Sequence, residues 1–150
     1  MESNTTNNII DITLEGAERT KVRLNGRDDL ILELNLTDLG IIDRLQQGMA
    51  KLEDEMRKIS QMPDDDSNLA ARMKEADLRM REYVDYIFDY PVSSVCARYG
   101  TMYDPKDGKF RYEIIIDKLV GLYTDRINSE YSKLQKRMAK HTDKYIHGKK

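Results

Sequence analysis

Two histidines, one cysteine and a scatter of carboxylates are the residues of this 150-residue chain that could do chemistry. His141 and His147 stand six apart. A helical metal pair needs a spacing of three or four to turn both rings toward one ion, and no cysteine or acidic cluster accompanies these two. Cys96 has no histidine near it in sequence, which suits a small buried hydrophobe better than a nucleophile. The run Asp104-Pro105-Lys106-Asp107-Gly108 has the look of a calcium loop, but it fails on register. With Gly108 in the sixth position, the first and twelfth would be Tyr103 and Ile114, and the ion would lack its end carboxylates. Asp85 and Asp89 share a helix face at i, i+4, a spacing that solvation explains without an acid–base pair. There is no glycine-rich phosphate loop and no nucleophile elbow. The residues therefore predict no catalytic site, no cofactor and no metal, and the class expected is a non-enzymatic binding protein.

The totals point the same way. Lysine and arginine number 25 against 27 aspartates and glutamates, a net charge of -2. That balance argues against general affinity for nucleic acid or an anionic membrane. A basic face does run through Lys133, Lys136, Arg137, Lys140 and Lys144, but Tyr131 and Tyr145 are too few for a base-stacking platform. An acidic protein partner suits that face better. No run approaches the roughly 18 apolar residues of a membrane helix, and no secretory signal is visible. A single cysteine rules out an internal disulfide, so the expected location is the cytoplasm.

The elements follow from periodicity. One domain, 1–150, is expected, with residues 1–8 frayed. Residues 9–36 alternate: Ile10, Ile12 and Leu14, then Val22 and Leu24, then Leu30, Leu32, Leu34 and Leu36, with Glu15-Gly16 and Asn25-Gly26 between. Period two predicts a three-stranded antiparallel β-meander, or one firm hairpin with the first strand a loose edge. From 37 to 140 the period is helical. After an N-cap at Thr37 or Asp38, Ile42, Leu45, Met49, Leu52, Met56 and Ile59 form one narrow stripe. Pro63-Asp64-Asp65-Asp66 breaks it, with Asp66 or Ser67 capping a second helix striped by Leu69, Met73, Ala76, Met80, Tyr83 and Ile87. The two should pair as a helical hairpin. The segment Tyr83 to Tyr112 holds most of the aromatics and should anchor the second half of the fold. Within it Pro91 stops the helix or opens a short one from Val92 to Tyr99, closed by Gly100, and Tyr103 to Gly108 is a turn. A long C-terminal helix begins near Phe110, its apolar stripe thinning beyond Ile127, and residues 141–150 form a basic tail. The fold class is thus α+β, mostly α. Methionine-rich seams accommodate imperfect or exchanging helix partners, so Met49, Met56, Met73 and Tyr90 are the expected partner-binding residues. Such stripes leave both a monomer and a homo-oligomer open.

The order of these features carries a resemblance. A polar β-meander, a charged helical hairpin, the stretch REYVDYIFDYPVSSVCARYGTMYDPKDGKFRYEIIIDKLVGLY and the ending SKLQKRMAKHTDKYIHGKK resemble the tail assembly chaperones of long-tailed, siphovirus-like bacteriophages and prophages of Gram-positive bacteria. The resemblance is strongest over residues 30–59 and 80–145. Many relatives carry a phenylalanine- and glycine-rich turn where this chain has YPVSSVCARYG. The resemblance implies a protein of the host cytoplasm, absent from the finished virion. Its partners would be the tape-measure protein and the major tail protein of the tail tube, which it keeps from premature aggregation or polymerisation. A helical adaptor of another system, such as a phage-encoded inhibitor of a host factor, is the alternative.

Overall fold

The computed structural model describes residues 8–147 apart from 17, 64 and 66, with the backbone alone for 141–147. The expected fraying of 1–8 and capping by Asp66 therefore fall wholly or largely outside the described residues, as do the side chains of His141 and His147. Strand β1 (Thr20–Arg23) pairs antiparallel with β2 (Ile31–Leu34), register Thr20↔Leu34 through Arg23↔Ile31. Within the loop that joins them, Asn25 and Gly26 both take positive φ in a tight turn closed by Arg27 N–H donating to the Leu24 carbonyl. Leu32 and Leu34 turn into the core while Glu33 faces out. The meander stops at two strands. Residues 9–14 are not in a strand, and Ile10, Ile12 and Leu14 lie exposed. Alternation alone cannot build a strand: it needs a neighbouring edge for its N–H and C=O groups and a surface to cover its apolar face.

Helices α1 (Ile41–Ser60) and α2 (Leu69–Phe88) form the expected antiparallel pair. On α2 the predicted stripe is the buried one, with Ala76, Met80 and Ile87 in the core and Val84 and Phe88 beside them. On α1 the face is rotated by about one residue. Ile41, Gly48, Leu52 and Glu55 are buried, while Ile42 is exposed. At Gly48 the helices approach too closely for a side chain. A Cβ there would lie 2.4 Å from Ile87 Cγ1 and 3.4 Å from the Tyr83 carbonyl oxygen. Gly48→Ala should therefore cost about 1 kcal/mol net, because overpacking of roughly 1–3 kcal/mol exceeds the helix-propensity gain. Urea unfolding should show the cost shrinking when Ile87→Ala is added, a coupling that separate effects would not give.

Helix α2 ends at Asp89, which adopts the left-handed conformation, and the short helix α3 (Val92–Cys96) follows Pro91. The predicted turn is the bend of a small hairpin, β3 (Pro105–Lys106) against β4 (Lys109–Phe110), with Asp107 and Gly108 at positive φ. Helix α4 (Arg111–His147) carries helical backbone past Lys140 through the first seven residues of the expected tail. Its first half closes the core with Tyr112, Ile115, Ile116, Leu119 and Tyr123, whose ring lies 6.0 Å from that of Phe88. No helix of the described residues is long and apolar enough to cross a membrane.

Candidate interaction surface

Among the described residues, Asp85 and Asp104 are committed to holding the chain together. Asp85 Oδ1 accepts the Ser93 backbone N–H at 2.7 Å and Oδ2 accepts the Ser93 hydroxyl at 3.0 Å, so the carboxylate caps α3 from the neighbouring helix. Burial pushes the Asp85 carboxyl above its ordinary range, and the bonds from Ser93 oppose the shift. Asp89 is exposed and faces Arg19 at 3.5 Å. The two carboxylates thus point to different tasks. Burial, with the charge of Asp85 adding to it, pushes the Cys96 thiol up to about 11, which leaves almost no thiolate at neutral pH. Asp104 accepts the Thr101 N–H and hydroxyl; the bonds from Thr101 draw its carboxyl down, and Arg111 adds to this. A cleft of about 540 Å³ lies between Cys96, Asp104, Lys106, Arg111 and Ile115. Its arginine is already bonded to the Tyr99 carbonyl and paired with Asp104. Among the described residues, no three His, Cys, Asp or Glu side chains come together around a metal position.

The four partner-binding residues expected from sequence lie mostly in the body of the protein. Met49, Met56 and Tyr90 are half-buried and packed against the core; Met73 is half-buried, and its carbonyl accepts the Tyr103 hydroxyl at 3.0 Å. They do not form one exposed patch.

The exposed apolar surface sits elsewhere, on the outer part of α4. The stripe Ile116, Leu119, Tyr123, Ile127 begins in the core and continues on the same face as Tyr131, Leu134 and Met138. There it is bare: Tyr131 is 54% exposed, Leu134 44% and Met138 62%. Every side chain from Asn128 to Lys140 is exposed. At 1.5 Å per residue, the helix from Asn128 to His147 is about 30 Å long. Lys133, Lys136, Arg137 and Lys140 flank the stripe against one carboxylate, Glu130, which pairs with Lys133 at 3.1 Å. An apolar seam with basic borders has the form of a docking face for an acidic amphipathic helix. The thinning of the stripe beyond Ile127 was the sequence signal for this face. The periodicity continues while the helix loses its cover.

Family models, curated proteins and solved structures were all compared with the chain. None matches it. The geometry of α4 is therefore what any functional reading has to stand on.

Proposed function

We propose that this chain is a non-enzymatic assembly chaperone that covers a helical partner, and that the partner system is the phage tail its sequence resembles. It would hold the tape-measure protein and tail tube subunits in the host cytoplasm until they assemble. The observation that carries the reading is the bare continuation of the α4 stripe through Tyr131, Leu134 and Met138. A temporary cover for apolar helices needs such a seam on a charged body, because the seam must be given up again when the partner assembles.

Co-expression with the product of the neighbouring long, helix-rich open reading frame tests it. The expected result is a soluble complex that forms only when this chain is present. Leu134→Asp should weaken that complex by on the order of thirtyfold or more, the scale of losing a buried anchor. The same change should move the stability of the free protein by less than about 0.5 kcal/mol, since the residue is exposed. A partner that is soluble alone and elutes separately would overturn the chaperone reading in favour of an adaptor. A complex indifferent to Leu134→Asp would move the surface away from α4.

A further inference from the structure

The outer edge of β1 is open. Among the described residues β1 pairs only with β2. Leu24 N–H donates to Leu30 O at 2.9 Å. Since bonding alternates along an antiparallel pair, Thr20 and Val22 also point their backbone groups at β2, and Lys21 and Arg23 point theirs away from it. An open edge of this kind is a template for another strand.

The same chain contains a segment shaped for that edge. Residues 9–15 alternate, with Ile10, Ile12 and Leu14 on one face and Asp11, Thr13 and Glu15 on the other. Ile9, Ile10, Ile12 and Leu14 are exposed and unpaired, Ile10 at 88%. Laid antiparallel on β1 with its apolar face inward, the segment puts Ile12 beside Val22 and Ile10 beside Leu24, both of which already pack against the core. The outer face then brings Asp11 beside Arg23, whose present partner is the exposed Asp28 at 2.9 Å. Cross-strand pairs of this kind select register more than they add affinity. A slip of one residue would turn the isoleucines to solvent and break the match.

Within its own chain the segment does not take that edge, since residues 9–14 lie outside any strand and are exposed. Gly16, Glu18, Arg19 and Thr20 line a cavity of about 250 Å³ with Asn35 to Thr37, Arg126 and Glu130. Arg19 donates to the Glu33 carbonyl at 3.1 Å and pairs with Asp89. We propose that residues 9–15 of one copy add as a third strand to β1 of a second copy, giving a reciprocal strand-exchanged dimer. The interface uses none of Tyr131, Leu134 and Met138 and stands whether or not the chaperone reading holds.

Light scattering across a concentration series tests it on the full chain. The mass should rise from 17.5 kDa toward twice that value. Ile12→Asp should keep the protein monomeric at every concentration, with its helical circular dichroism unchanged because the residue is exposed. In a Cys96→Ser background, mixing an Ile12→Cys chain with a Val22→Cys chain should give a disulfide between the two, these positions facing each other between hydrogen bonds. A monomer throughout the series would overturn the proposal. So would a dimer that survives Ile12→Asp, or an Ile12→Cys/Val22→Cys double variant that closes only within one chain.

Discussion

Asp77→Ala should destabilise the protein by about 3 kcal/mol, the sum of two losses of roughly 1–3 kcal/mol each. Asp77 is buried on α2. Its Oδ1 accepts the backbone N–H of the fully buried Met102 at 2.7 Å, and its Oδ2 accepts Arg81 Nε at 2.9 Å. Arg81 in turn donates to the Gly100 carbonyl at 2.8 Å. One carboxylate and one arginine therefore fasten the turn after α3 to α2. That turn launches α4, since Tyr112 N–H donates to the Met102 carbonyl and Arg111 N–H to that of Asp104. Alanine leaves a buried N–H without an acceptor and a half-buried guanidinium without its counter-ion. Asp77→Asn keeps an oxygen for Met102 and should cost about half as much. Urea unfolding at neutral pH should show the midpoints in the order wild type, Asn, Ala with an unchanged slope. Equal midpoints for all three would mean that the turn is held by other contacts.

Arg79→Met should cost about 2–3 kcal/mol, and the loss should largely vanish in the Glu55→Met/Arg79→Met double variant. Glu55 is 3% exposed in the middle of α1, and both its oxygens accept from Arg79 at 3.0 Å. Removing the arginine strands a buried carboxylate. The half-exposed position of Arg79 and the approach of Lys58 to 3.9 Å place the cost below that of a fully buried pair. Replacing both partners with apolar side chains removes the desolvation penalty along with the attraction, which is why the double variant recovers. Thermal melts of the four proteins give the coupling directly. If the double variant loses as much as the sum of the single ones, the pair is not acting as a unit.

Gly48 and Glu55 also show where sequence reading stops. Both lie on the buried face of α1, yet a hydrophobic stripe is read from apolar residues and passes over a glycine and a glutamate. The stripe through Ile42, Met49 and Met56 was consequently placed about one residue off, and Ile42 is exposed. The reasons that Gly48 and Glu55 are buried stand on another helix, at Ile87 and Arg79. The expected partner-binding residues are half-buried for a related cause. Met49, Met56 and Tyr90 have the chemistry of a docking seam, but the core already takes up part of their surface. The bare seam belongs to α4, whose outer half has no neighbour among the described residues to pack on.

By itself the sequence determined what depends on near neighbours along the chain. The β1–β2 hairpin, the break at Pro63, the stripe of α2, the turn at Asp107-Gly108 and the long final helix all follow from periodicity and backbone preference, which act over a few residues. The tertiary structure decided which faces are covered. It rotated the buried face of α1, left residues 9–14 without a strand partner and ended the cover of α4 near Ile127. Burial is a property of two surfaces at once, and the second surface lies far away in sequence.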